Sequence, residues 1–462
     1  MNRRLIDPFQ SVQLPEIIEE YLEHGFTNCI AFNRRGTLLA AGTYDGQVVV
    51  WDFETRGVAR TYAGHRQMVT SLSWSRNGKY LASGSVDQSL ILWDVLQGTQ
   101  ALEVQLPAPV ASVSLSARAP YSCVVSLQRG HPVMVDLQSS QERQLPVILG
   151  AAEGAAQPKS APPILAAFTP GGERVVVGHP KGGLLTVLDA QTLAVMDVVK
   201  VPNNARVTGL RFNRKGTHLL ANCSDRAVRL YEVAAARADA GSCTAVSAEE
   251  ANTRLAGVDV KAAKPGSLLW ADTPASAVLT PVREFANAVE RMMWGDAAFS
   301  ADGEHVVAAM ASKTQHVMYV WSALYGNMER ILEGPKEGVC AVLWHPARAC
   351  LVSLASSGRA YVWAQQYTEC WSAFAPDFKE LEENLEHCEA EDEFDWDTPG
   401  ASAHIDTQTA REQARRGDAG GSDSCAVVDV VTVAEERLFS DDEEEDCSGA
   451  LHYLPAEVVA EE

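Results

Sequence analysis

The 462-residue sequence has no pair of cysteines at CxxC spacing and no Cys/His cluster with zinc-ligand spacing, although ten cysteines run from Cys29 to Cys447. That excludes a structural zinc module, and scattered thiols in so long a chain fit a reducing compartment, where they pack as small apolar residues. No stretch of about 18 apolar residues occurs, so no bilayer-spanning helix is expected. Arg3 and Arg4 lead into Asp7 and Pro8 rather than an apolar run, which gives no sign of a secretory leader. A glycine-rich phosphate loop, a GxSxG elbow and a carboxylate pair at acid–base spacing are all missing. No catalytic residue, cofactor-binding residue or metal ligand is therefore expected, and no enzyme.

Basic residues are also scarce: 38 Lys and Arg against 60 Asp and Glu, a formal charge of −22. The imbalance is local. Residues 376–462 hold 27 acidic and five basic side chains, a net of −22, and the first 375 residues balance. A wholly basic nucleic-acid binder is excluded, and so is a single compact domain over the full length. Apolar residues make up 46%, enough for a large core in the neutral part.

That neutral part repeats. Trp51-Asp52 and Trp93-Asp94 lie 42 residues apart, as do Phe32-Asn33-Arg34-Arg35-Gly36 and Trp74-Ser75-Arg76-Asn77-Gly78. Each anchor ends a strand before a turn closed by glycine; a strand, an Asp turn (Asp45-Gly46, Asp87-Gln88) and a strand into Trp-Asp follow. Phe168, Phe212, Phe299 and Trp344 repeat the pattern, and Leu115 stands in a weaker unit. Seven units of about 40–45 residues with Trp-Asp endings predict an all-β fold, a seven-bladed WD-repeat β-propeller of four strands per blade. Gly64-His65, Ser83, Asp87 and Trp93 match the buried hydrogen-bond set of such repeats, a structural rather than a catalytic constellation.

The domain reading is an N-terminal segment over 1–26, the propeller over 27–374 with insertions near 139–163 and 234–288, a segment with an acidic box over 375–397, and a disordered acidic tail with short linear motifs over 398–462. The strand closing the last blade comes from either 14–21 or 367–374. Phe285, Val289, Met292 and Met293 fall at helical spacing after Pro281, predicting a short amphipathic helix over 281–294. In the tail, Leu381, Leu385 and Cys388 share a helical face. Phe394 and Trp396 sit inside an acidic box, the composition of a segment that docks in a basic, apolar groove. A Val-rich run over 426–433 reads as an extended docking strand. Ser440 before Asp441 is a candidate phosphorylation site.

This order of features, with Trp-Ser-Ala-Phe-Ala-Pro-Asp-Phe-Lys-Glu-Leu over 371–381, the Glu-Phe-Asp box, the Val-Asp-Val segment and Ala-Leu-His-Tyr-Leu-Pro over 450–455, resembles the retinoblastoma-binding protein 5 family. Its members are WD-repeat core subunits of COMPASS (SET1/MLL-type) complexes, which methylate lysine 4 of histone H3. The resemblance implies a non-catalytic scaffold and allosteric activator in the nucleus. It implies that Phe378, Leu381 and Leu385 brace the SET-domain methyltransferase, and that Glu393, Phe394, Asp395, Trp396 and Asp397 bind the SPRY-domain subunit. It also implies that Val428, Asp429, Val430 and Val433 bind a second WD-repeat subunit. Arg226, Arg291, Lys313 and Lys336 belong to loops expected on one face, which the resemblance implies meets nucleosomal DNA. The chain departs from the family by lacking an acidic lead-in to Val-Asp-Val and by the insertion before residue 290. A substrate receptor of a cullin-type ubiquitin ligase is the rival reading; Glu54 and Leu96, where such receptors carry a basic residue, speak against it.

Overall fold

The computed structural model describes residues 14–146, 163–179, 183–234, 278–287 and 292–365. They form seven antiparallel four-stranded sheets, each a blade. In blade 1 the strands are Thr27–Phe32, Leu38–Thr43, Gln47–Asp52 and Val58–Ala63. In blade 2 they are Val69–Trp74, Tyr80–Ser85, Ser89–Asp94 and Thr99–Gln105. The first strands of successive blades touch one another in a closed circuit, which puts them at the ring's centre and the fourth strands outside. All seven anchors, residues 32, 74, 115, 168, 212, 299 and 344, are the last residues of first strands.

The second and third strands explain why the ring must close. Val48 and Val50 face one neighbour while Val49 and Trp51 face the other, because side chains alternate across a strand. Seven core clusters result, one at each interface between neighbouring blades. Most outer strands carry little of this burial; Gln141–Gln144 is exposed throughout. Glycines set the closest approach. A Cβ on Gly42 would lie 2.6 Å from Val69, and one on Gly84 would lie 2.5 Å from Val110, each on the next blade's first strand.

The blade that closes the ring combines both ends of the repeat region. Val339–Trp344, Leu351–Ala355 and Ala360–Ala364 are completed by Ile17–Leu22, which pairs antiparallel with Ala360–Ala364 from Ile17↔Ala364 to Leu22↔Ala360. The closing strand thus comes from the N-terminal side. The boundary read at residue 27 left it outside the propeller, because strand pairing between residues this far apart leaves no local signature.

A second correction concerns residues 281–294. Leu279–Phe285 is the outer strand of blade 5, paired with Val228–Val233, and no helix forms over Pro281–Phe285. Leu279, Pro281, Arg283 and Phe285 are the more buried residues in strict alternation. That period of two overrides the helical spacing of Phe285, Val289, Met292 and Met293. The register shifts between Leu230 and Tyr231, opposite Pro281, as it does at the same place in blades 1, 2, 4 and 6, so the proline sits at an irregularity that the repeat already contains. Residues 235–277 and 288–291 lie outside the described residues, as does most of the 139–163 insertion, whose first part supplies Gln141–Gln144, the outer strand of blade 3.

Removing residues 1–22 deletes the closing strand and exposes the burial sites of Leu14 and Leu22, worth about 1.5–3 kcal/mol each. Calorimetry of this truncation is expected to show a melting temperature lowered by many degrees or outright aggregation, while a chain ending at Gln366 melts like the parent. Equal melting of the N-terminal truncation and the parent would contradict closure by Ile17–Leu22.

Candidate interaction face

The His–Ser–Asp–Trp set of blade 2 assembles as a buried network. His65 Nε2 lies 2.7 Å from Ser83 Oγ, which accepts from Trp93 Nε1 at 2.8 Å. His65 Nδ1 lies 2.6 Å from Ser89 Oγ, and Ser89 Oγ in turn donates to Asp87 at 2.5 Å. Asp87 also accepts from the backbone N–H of Arg66 at 2.8 Å. Burial pushes the His65 pKa down, only partly offset by Asp87. Burial works to raise Asp87, and the donors from Ser89 and Arg66 outweigh it, holding the carboxyl below its usual range. No solvent-open nucleophile emerges; the network ties the loop before the first strand to the turn between the second and third. Ser89 is a member that the spacing argument did not include.

Blade 7 assembles its Trp–Ser–His contact differently. Trp363 Nε1 donates to Ser353 Oγ at 2.7 Å, and the histidine on that hydroxyl is His316 of blade 6, at 2.8 Å. Gly334 occupies the place that Gly64 holds in blade 2, against the tryptophan and the ring of His316. His316 and, in blade 4, His179 are both buried, and burial drives each down to about 4.

The loops leading into each blade and the turns between second and third strands open on one face, and contacts between neighbouring blades link them into an arc. Arg206 N donates to Ser224 Oγ at 3.1 Å beside Arg226, and Trp294 Nε1 donates to Arg226 O at 2.9 Å. Ala311 N donates to Met293 O at 2.8 Å. Gly338, in the loop carrying Lys336, packs on Ser312 and Lys313. Ser356 N reaches Gly338 O, Gly358 packs on Phe26, and Tyr44 N donates to Phe26 O. Gly46 lies under His65 and Gln67, beside Arg66. Arg226, Lys313 and Lys336 are therefore brought to one exposed surface, together with Arg66 and Arg206, which the sequence reading passed over. Applying the same loop rule to every blade would have found both.

Phe26 and Tyr44, 57% and 53% exposed, add an edge-to-face pair with centroids 6.1 Å apart. On this surface Arg359 is paired with Glu23, whereas Asp45 is exposed. Five cations that make no ion pair among the described residues face solvent there, and Glu337, beside Lys336, accepts from Ser357 Oγ at 2.5 Å. Arg291 lies outside the described residues. So do Phe378, Leu381, Leu385, Glu393, Phe394, Asp395, Trp396, Asp397, Val428, Asp429, Val430 and Val433, with the whole of the acidic tail. Among the described residues no group of three His, Cys, Asp or Glu is placed to hold a metal ion.

The profile of the WD domain, G-beta repeat matches residues 16–52 and 57–94. The chain is 38% identical to "Protein RBL" of Arabidopsis thaliana over 99% of this chain and 81% of that protein. It is 33% identical to "Retinoblastoma-binding protein 5 homolog" of Drosophila melanogaster, over 98% and 82%. It is 32% identical to "Set1 complex component swd1" of Schizosaccharomyces pombe, over 86% and 90%. Among solved structures, the Cps50 (Swd1) β-propeller domain of Myceliophteria thermophila superposes with a TM-score of 0.63 at 31% identity, covering 76% of this chain and all of that one.

The buried histidines make the ring's stability depend on pH. His316 is neutral in the folded ring down to about pH 4, whereas an unfolded histidine takes up its proton near 6.5. The stability is thus complete above pH 6.5 and drains away as pH falls toward 4, by roughly 3 kcal/mol per such histidine at the acid end. His316→Gln keeps a donor to Ser353 and removes the titration. Its melting temperature is expected to fall less steeply between pH 6.5 and 4 than the parent's; identical slopes would contradict this.

Proposed function

Because the chain belongs to the family of the retinoblastoma-binding protein 5 homologs and the Set1 complex component swd1, we propose that it is a non-catalytic scaffold of a nuclear COMPASS-type complex that methylates lysine 4 of histone H3. The observation that carries this is the extent of the match. Identity to the plant relative runs over 99% of the chain, so it includes residues beyond the propeller, where the partner motifs lie. In this reading residues 375–388, with Phe378, Leu381 and Leu385, brace the SET domain, and Glu393, Phe394, Asp395, Trp396 and Asp397 hold the SPRY-domain subunit. Val428, Asp429, Val430 and Val433 engage the second WD-repeat subunit. The propeller is the platform from which these segments act.

The activation is a population shift. A mobile SET domain occupies its competent form part of the time, and a segment that binds this form better raises that fraction. A threefold to hundredfold gain corresponds to about 0.6–2.7 kcal/mol of differential binding. Two or three buried apolar anchors are sufficient for that, since each is worth about 1.5–3 kcal/mol when fully buried. The cationic arc of Arg226, Lys313 and Lys336, extended by Arg66 and Arg206, supports contact with nucleosomal DNA through phosphates, without sequence readout.

The test is a reconstituted methyltransferase assay on histone H3 with the SET-domain and SPRY-domain subunits. The full chain is expected to stimulate, and a chain ending at Phe374, or Phe394→Ala/Trp396→Ala, to lose most of the stimulation. Equal stimulation by the truncated propeller would overturn the role given to the tail. For the DNA contact, Arg226→Ala/Lys313→Ala/Lys336→Ala is expected to reduce the slope of log affinity against log salt for duplex DNA by about three, one per lost phosphate contact. An unchanged slope would remove DNA from this face.

A further inference from the structure

Blade 5 lacks the histidine network, and a buried arginine stands in its place. Aligned on the first residue of the first strand, Asn203 of the leading loop falls where His65 stands in blade 2, and Ala227 falls where Ser89 stands. Asp225 is the counterpart of Asp87, and Arg226, at φ +70°, is the counterpart of Gln88, at φ +68°. Without histidine and serine, Asp225 receives only a long bond from Asn203 Nδ2, 3.4 Å, from that side. Its principal partner is Arg229, 1% exposed on the third strand, which donates through both terminal nitrogens, Nη1 to Oδ1 at 2.9 Å and Nη2 to Oδ2. Glu284, directly across on the outer strand, lies 3.6 Å from the same guanidinium.

A buried ion cluster of this kind adds little to stability compared with apolar residues of similar size, so its presence calls for another role. The turn it holds has an unfavourable backbone for a non-glycine residue, and that residue is an exposed arginine on the cationic arc. We infer that Arg229 is a positioning residue: through Asp225 it locks the 224–227 turn in the conformation that presents Arg226 to an anionic partner. The bidentate fork fixes both carboxylate oxygens, which a single-point donor does not do. Trp294 Nε1 on Arg226 O and Arg206 N on Ser224 Oγ hold the turn's other sides, so Arg229 secures the remaining one. The anionic partner, nucleosomal DNA, rests on the function proposed above; the locking of the turn does not.

The experiment uses the full chain in two readouts. Hydrogen exchange in Arg229→Gln is expected to accelerate about tenfold or more in the peptide covering residues 224–227, with the corresponding blade 2 turn at residues 86–88 unchanged. For duplex DNA, Arg229→Gln is expected to lower the salt slope by about one, as Arg226→Ala does, and the double variant to lower it no further. Arg229→Lys, which keeps the charge and loses the fork, is expected to fall between parent and Arg229→Gln in both readouts, and it carries the comparison if the glutamine variant does not fold. Unchanged exchange at 224–227, or slope losses that add in the double variant, would overturn the inference. Faster exchange with a slope that Arg226→Ala leaves untouched would uphold the lock and remove DNA as the partner.

Discussion

A sheet with two apolar faces must be covered twice, and in this protein each cover is another sheet with the same need. Val48 and Val50 on one face and Val49 and Trp51 on the other commit blade 1 to two neighbours at once. A row of such blades leaves two faces bare at its ends, and bending the row into a ring removes both. The pairing of Ile17–Leu22 with Ala360–Ala364 joins the two ends of the repeat region within one sheet, so the last interface is tied by hydrogen bonds as well as by packing.

Turns between second and third strands are also held by buried polar contacts, with different chemistry in different blades. In blade 2 His65, Ser83, Ser89 and Asp87 tie the turn to the leading loop; in blade 6 His316 ties it to Ser353 of blade 7; in blade 5 the Arg229 fork ties Asp225 to the third strand. Each solution buries polar groups and pairs most of them locally, although His316 Nδ1 and Arg229 Nε find no partner among the described residues. Arg66, Arg206 and Arg226 join these turns and loops through their backbones, while their side chains, with those of Lys313 and Lys336, face solvent.

Charge is divided along the chain in a way that suits a scaffold. The ring's acids and bases balance over the first 375 residues, while residues 376–462 carry the excess of acid. A neutral body with a cationic face can approach a polyanion, and an acidic segment with embedded aromatics suits basic, apolar grooves on proteins. Family membership joins the two parts, since the relatives match across both.

The sequence alone determined the number of blades and the place of each first strand. An aromatic or leucine that ends a strand, packs into an interface and precedes a tight glycine turn is a local requirement that recurs, and Phe32, Trp74, Leu115, Phe168, Phe212, Phe299 and Trp344 all fulfil it. It also disclosed the blade 2 network and three of the cations on the arc, because loop class follows from position within a repeat. Only the tertiary structure decided which strand closes the ring, that Leu279–Phe285 is an outer strand rather than a helix, and that Arg229 replaces a histidine. Each depends on a partner distant along the chain: Ala364 for Ile17, Val228–Val233 across an insertion, Asp225 and Glu284 around one guanidinium. Local periodicity cannot specify such partners, because strand edges and buried charges are satisfied by whatever the finished ring brings beside them.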